Sequence, residues 1–301
     1  MRIQLGDNEV PYPLFTIKGR LRLSGLDDSA ISELLLEEQV LKFKTVDALI
    51  SYLLESLESY ETEIQSNFET LTRYEQIRGE NQGVPAIIVV LEGASATGKS
   101  LIALELMKDL AATRFISTDS VRMVLRGILS QEKYPEIFCH TYQAHKHRQT
   151  GPKNLDPILR GYLAQCEVIL PHIVKMTEGI VAEGANAVIE GVHLQPGAMK
   201  DLNTGVVEVL INPPPSTHKA MFSGKHNLEK LRTVSEDINV REREFEATRS
   251  IQEYMLTAAK EREVSIVQLI SYEEARKSIS SLILERVGKL LESLNDGANR
   301  K

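Results

Sequence analysis

Basic residues are in deficit in this sequence: 35 lysines and arginines face 42 aspartates and glutamates, a formal net charge of -7. A nucleic-acid binder normally shows a basic patch or stripe, so the balance argues against nucleic acid as the main partner. It leaves room for a small anionic substrate, which needs only a local cluster of cations. Cysteine is scarce as well. Cys139 and Cys166 have no metal-ligand spacing and read as packed free thiols. Long apolar runs are missing: none reaches the length of a membrane-spanning helix, and the opening "MRIQLGDNEVPYP" lacks the apolar stretch of a signal peptide. The expected setting is cytoplasmic, without a membrane partner. Internal repeats and low-complexity tracts are absent too. What is present is ordinary for a globular chain of 301 residues, 42% hydrophobic and 26% charged, long enough for one large domain or two modest ones. Oligomeric state is not legible.

The pattern divides near residue 80. Before it, "DDSAISELLLEEQVLKF" opens on the capping cluster Asp27, Asp28 and Ser29, and apolar residues then recur at helical spacing. Leu49, Leu53 and Leu57 continue the pattern in a stretch expected to run as one long helix, or as two broken near Ser66 and Asn67. "RGENQGVP", residues 78–85, is a linker signal. We therefore expect a helical domain over 1–80 and a second domain over 81–301.

Beyond the linker, short apolar runs alternate with helical patterns. "AIIVVLE" (86–92), "RFIST" (114–118), "ANAVIEGV" (185–192), "GVVEVLI" (205–211) and "VSIVQLI" (264–270) predict five strands. Such alternation predicts an α/β fold, with a five-stranded parallel sheet covered by helices on both faces. "DSVRMVLRGIL" is expected to be a helix capped by Thr118 or Asp119.

Gly93-Ala94-Ser95-Ala96-Thr97-Gly98-Lys99-Ser100, with Leu101 next, fits the spacing G-x-x-x-x-G-K-[ST], after a buried strand and at the head of a helix. A polyphosphate needs several backbone N–H groups aimed at one point, and Gly93 and Gly98 permit so tight a wrap. The positive end of the following helix favours the anion. This predicts binding of ATP and Mg²⁺, with Lys99 on the β- and γ-phosphates and Ser100 on the metal.

Further candidates lie at the carboxyl ends of the strands, where ligands bind in open α/β sheets. Asp119 and Arg122 share a helix face: a base for an attacking hydroxyl, and a holder of an anionic group. The alternative is a helix cap paired with a surface arginine. Glu190 can bind Mg²⁺ directly or through water, and His193 either contacts substrate phosphate or is structural. Arg241, Arg243 and Arg249 fit either a lid over the phosphoryl group (213–250) or a solvated helix. In the insert 127–184, His145, Lys146, His147, Arg148, Lys153 and Arg160 form a cationic cluster suited to a small anionic acceptor, or else an exposed polar loop.

Taken together, "GASATGKS", "STDSVRMVLR", "TYQAH", "DPILRGYLAQ", "VIEGVHLQPG" and "TRSIQEYM" resemble the archaeal 2-phosphoglycerate kinases over roughly residues 85–270. The resemblance implies a P-loop kinase fold and ATP-dependent phosphorylation of the free hydroxyl of 2-phosphoglycerate, a small hydroxy acid, to 2,3-bisphosphoglycerate. The N-terminal region resembles a diverged ATP-cone. Two departures stand out: Leu101 replaces the family's usual threonine, and Lys225 stands where arginine is usual. Lysine cannot reproduce arginine's bidentate fork. Kinases for other hydroxyl acceptors (sugar acids, nucleosides or polynucleotide ends) and a non-catalytic nucleotide-binding regulator are the rival readings.

Overall fold

A computed structural model describes the backbone of residues 1–81, 83–229 and 237–298; the side chains of residues 5, 225–229 and 295–298 also lie outside the description. The chain opens with a hairpin, β1 (Arg2–Leu5) and β2 (Asn8–Pro11), antiparallel in the register Ile3↔Val10. Five helices follow: α1 (Phe15–Ser24), α2 (Asp28–Leu34), α3 (Glu37–Val40), α4 (Val46–Leu57) and α5 (Thr62–Glu80). The Asp27 side chain caps α2 by accepting from Ala30 N–H, and Thr45 caps α4 through Ala48 N–H. The helix break falls at 58–61, not at Ser66 and Asn67. Phe68, Leu71 and Tyr74 form a buried stripe on α5, and that stripe carries the helix straight through the two polar residues.

The remaining chain alternates strands and helices: β3 (Ile88–Glu92), α6 (Lys99–Asp109), β4 (Arg114–Ser117), α7 (Thr118–Ile128), two short 3₁₀ turns at Pro135–Phe138 and Thr141–Lys146, α8 (Pro157–Glu183), β5 (Ala187–Gly191), β6 (Val206–Asn212), α9 (Pro215–Glu229), α10 (Ile238–Glu261), β7 (Ser265–Gln268) and α11 (Tyr272–Ala298). The five strands β3–β7 form one sheet in the order β4-β5-β3-β6-β7, and every neighbouring pair is parallel. Strands β3, β5 and β6 are buried along their whole length, which is why they read as mainly apolar runs, interrupted only by Glu92, Glu190, Glu208 and Asn212. The strand order reverses beside β3, so the crevice at its carboxyl end falls at a switch point of the sheet.

Two apolar layers flank the sheet. On one side α6 and α11 contribute Ile102, Leu106, Ile279 and Ile283, with Leu23 and Tyr74 of the N-terminal helices in the same cluster. On the other, Val121 and Leu125 of α7 meet Ile169 and Ile173 of α8 against Ile88, Val90 and Ile189. The N-terminal helices also hold their own apolar cluster around Ile17, Leu49, Leu53 and Phe68. Cys139 and Cys166 are free thiols, as expected. Among the described residues, no helix is long and apolar enough to cross a membrane.

Candidate active site

Strand β3 delivers the chain into the loop at Gly93, and α6 takes it up at Lys99. Gly93 adopts φ +150, and a Cβ there would meet Thr97 Oγ1 at 2.7 Å. Gly98 adopts φ +83 at the helix cap, where a Cβ would sit 2.7 Å from Leu269 Cδ2. Both positions therefore require glycine for conformation and for space. Within the loop, Thr97 Oγ1 and Lys99 Nζ both donate to the Ala94 carbonyl, at 3.0 and 3.2 Å.

Ser95 through Leu101 line a cleft of about 710 Å³ together with Asp119, Arg122, His140, Thr141 and Tyr142. Lys99 lies 4.0 Å from Glu190 Oε2, and Ser100 Oγ donates to the same oxygen at 3.2 Å. A hydroxyl and a carboxylate thus converge beside the phosphate loop. These are hard oxygen donors, and Mg²⁺ typically takes one or two carboxylates and completes its shell with phosphate and water. The residues fit the metal. Among the described residues no group of three or more histidines, cysteines or carboxylates suggests a different metal site.

The Asp119 side chain is 67% exposed and pairs with Arg122 at 2.9 Å. Arg122 is anchored by a second bond, donating to the Cys139 carbonyl at 2.8 Å. The cap of α7 is Ser117, with no side-chain bond to the helix, so neither Thr118 nor Asp119 is the cap. The pair predicted on one helix face exists, and both residues line the cleft, Arg122 largely buried and Asp119 largely exposed.

Other predicted residues fall elsewhere. His193 is fully buried. Its Nδ1 lies 2.9 Å from Thr118 Oγ1 and its Nε2 3.0 Å from Gln165 Oε1, so both ring nitrogens are engaged away from the cleft. Burial pushes its pKa down to about 3, so the ring is neutral under ordinary conditions. Arg148 is tied to Glu136 and Glu167, at 2.9 and 3.0 Å, and Arg160 donates to Gln149. These two arginines stabilise the insert and do not line the cleft. His145 lines a neighbouring recess of about 470 Å³ with Lys146 and Arg243, and Tyr142 belongs to both walls. Arg241 lies in the first turns of α10, off the cleft wall, while Arg249 donates to the Pro213 carbonyl and pairs with Glu253. Of the altered segment 217–232, Thr217 and Met221 line the cleft; the Lys225 side chain and residues 230–236 of the lid lie outside the described residues.

Sequence reasoning missed several residues. Leu269, Ile270, Ser271 and Tyr272, after β7, close the cleft beside Leu101. Ile270 is 76% exposed and Leu101 56%, an apolar surface open at the phosphate-loop end. His218 and Gln252 reach the loop from behind. His218 Nε2 lies 2.8 Å from the Ser95 carbonyl, and Gln252 Oε1 accepts the Ala94 N–H at 2.8 Å. Gln252 Nε2 donates to the Ile211 carbonyl and to Asn212 Oδ1. A lone polar residue inside an amphipathic helix carries no signal of such a partner. Glu92, just before the loop, is fully buried, and burial together with the nearby Glu208 holds its carboxyl well above the usual carboxylate range.

No protein-family model matches the chain. Among curated proteins, the 2-phosphoglycerate kinase of Methanopyrus kandleri is 30% identical over 233 residues, covering 76% of this chain and 70% of that protein. The enzyme of the same name from Pyrococcus horikoshii is 29% identical, with 78% and 76% covered, and that of Thermococcus kodakarensis is 28% identical, with 68% of each covered. The aligned lengths exceed any single motif. The chain belongs to the 2-phosphoglycerate kinase family.

Proposed function

We propose that the protein transfers the γ-phosphoryl group of ATP to the free hydroxyl of 2-phosphoglycerate, giving 2,3-bisphosphoglycerate. The observation that carries this reading is one cleft lined both by the phosphate loop with Lys99 and Ser100, the latter bonded to Glu190, and by the Asp119–Arg122 pair. A nucleotide sensor has no use for an acceptor base in the same cleft.

In this reading the backbone N–H groups of the loop and Lys99 hold the β- and γ-phosphates. Ser100 and Glu190 hold Mg²⁺, which supplies charge neutralisation at the phosphate oxygens when bound. Leu101, Ile270 and Tyr272 form the apolar side on which the nucleobase rests. Asp119 orients the acceptor hydroxyl and receives its proton. Arg122, fixed by Asp119 and the Cys139 carbonyl, presents cationic charge to the acceptor's anionic groups without having to order itself first. His140, Thr141 and Tyr142 make the insert the acceptor side of the cleft. Transfer of this kind depends chiefly on positioning and charge, and these are what the cleft provides.

The test is ADP release with MgATP across a panel of phosphorylated and unphosphorylated hydroxy acids. The reading expects the highest kcat/KM with 2-phosphoglycerate. Preference for an unphosphorylated sugar acid or a nucleoside overturns the acceptor assignment, and release unaffected by any acceptor overturns the kinase.

A further inference from the structure

The phosphate loop is held from outside by two buried side chains on the helices that flank residues 230–236. His218 of α9 and Gln252 of α10 are both fully buried, yet each is spent on a loop more than a hundred residues away in sequence. Burying a polar side chain is costly unless it is hydrogen-bonded, and these two make their bonds to the backbone of Ser95 and Ala94.

The Ser95 bond fixes a tautomer. A carbonyl oxygen only accepts, so Nε2 must carry the proton and donate to it. Nδ1 then presents its lone pair, and Arg249 Nη1 lies 3.5 Å from it while donating to the Pro213 carbonyl at 3.1 Å. Burial, aided by Arg249 and opposed by the Ser95 carbonyl, lowers the imidazole below the ordinary histidine range, in keeping with a neutral ring. The ring also packs edge-on to Phe245, with centroids 5.4 Å apart.

The geometry of the peptide gives this bond a consequence. No peptide in the described chain is cis, so the Ser95 C=O and the Ala96 N–H lie in one plane and point in opposite directions. Holding the carbonyl on the His218 ring turns the N–H the opposite way, and Ser95 and Ala96 both line the cleft. Ala96 sits at φ +63, a region that a Cβ disfavours. Left to itself, the loop has a local reason to rotate this peptide away. An external clamp is needed to keep the N–H presented.

We infer that His218 is a positioning residue for the nucleotide: its Nε2–H holds the Ser95–Ala96 peptide so that the Ala96 N–H faces the phosphates. Gln252 holds the Gly93–Ala94 peptide, two peptides earlier, by accepting its N–H. The inference rests on the ATP-site reading above. It ties the loop to α9 and α10, so the helices that lead into and out of residues 230–236 also set the phosphate site.

The test is MgATP binding by calorimetry, without acceptor, on three proteins: the parent, His218→Phe and His218→Gln. Glutamine retains an N–H donor at about the reach of Nε2, whereas phenylalanine retains only the ring. A net hydrogen bond of ordinary strength corresponds to roughly five- to tenfold in affinity. His218→Phe should therefore weaken MgATP about five- to tenfold, leave the acceptor KM within about twofold, and be rescued by His218→Gln. Equal MgATP affinity in the parent and His218→Phe overturns the inference. So does a glutamine variant as weak as phenylalanine, because ring packing would then be the cause. Should the phenylalanine variant fail to fold, nitrogen NMR of the parent decides: a neutral ring protonated at Nε2 is expected, and protonation at Nδ1 refutes the bond. A parent that binds no MgATP sinks the site reading itself, whereas the tautomer result still reports on the bond.

Discussion

Asp119→Asn replaces one carboxylate oxygen by an amide nitrogen at the mouth of the cleft, and its expected effects on rate and on stability differ sharply. The side chain is 67% exposed and pairs with Arg122 within the first turn of α7. An exposed pair of this kind contributes about 0.2–1 kcal/mol. A negative charge at a helix N-terminus adds about 0.3–1 kcal/mol. Asp119 does not cap the helix, so no cap is lost. The stability cost is then at most about 2 kcal/mol, a fall of only a few degrees in melting temperature for a chain of this size. The rate should respond far more. Loss of a general base typically costs 10²- to 10⁴-fold, about 3–5 kcal/mol in the barrier. Steady-state kcat, MgATP binding by calorimetry and a thermal melt on this one variant give the three quantities. The account predicts kcat down by about that factor, MgATP affinity within about twofold, and a small change in melting temperature. A kcat within a few-fold of the parent refutes the base assignment. A parallel loss of MgATP affinity would mean that Asp119 serves the metal instead.

Gly98→Ala should raise the KM for ATP at least tenfold, because φ +83 and a Cβ 2.7 Å from Leu269 Cδ2 both resist the side chain; initial rates against ATP concentration check this. Arg148→Ala should destabilise the fold by about 1–3 kcal/mol, since it strands the fully buried Glu136 carboxylate, while leaving the acceptor KM within about twofold. Chemical denaturation and kinetics together decide between that outcome and a substrate role. His193 binds a proton in the unfolded chain below about 6.5 but in the folded protein only below about 3. Its contribution therefore declines as pH falls through that window, and melting curves of His193→Asn should show a shallower acid slope than the parent. Equal slopes would contradict the buried neutral ring.

The sequence is most legible where one physical demand dominates. Strands β3, β5 and β6 are buried on both faces, so their apolar runs mark them to within two residues. The loop from Gly93 to Ser100 is legible because its backbone geometry admits few residue types. The hairpin at residues 2–11 was not, because its strands are four residues each, too short for the alternation of Ile3, Leu5 and Val10 with polar residues to stand out. The site divides in the same way. Lys99, Ser100, Asp119, Arg122 and Glu190 come together because each follows directly from a strand end or the loop. Arg148 and Arg160 looked like acceptor cations because composition shows charges but not their partners; Glu136, Glu167 and Gln149 take them. His218 and Gln252 were invisible for the converse reason, since their function lies wholly in a contact with a distant backbone.

The central claim is that one cleft joins ATP to the hydroxyl of 2-phosphoglycerate. Phosphorus NMR of a reaction containing MgATP, 2-phosphoglycerate and the protein tests it most directly, with Lys99→Ala run in parallel. The account predicts ADP and 2,3-bisphosphoglycerate appearing in equal amounts with the parent protein, and neither with the variant. ADP matched by free phosphate, an unchanged 2-phosphoglycerate signal, or equal turnover by Lys99→Ala would contradict it.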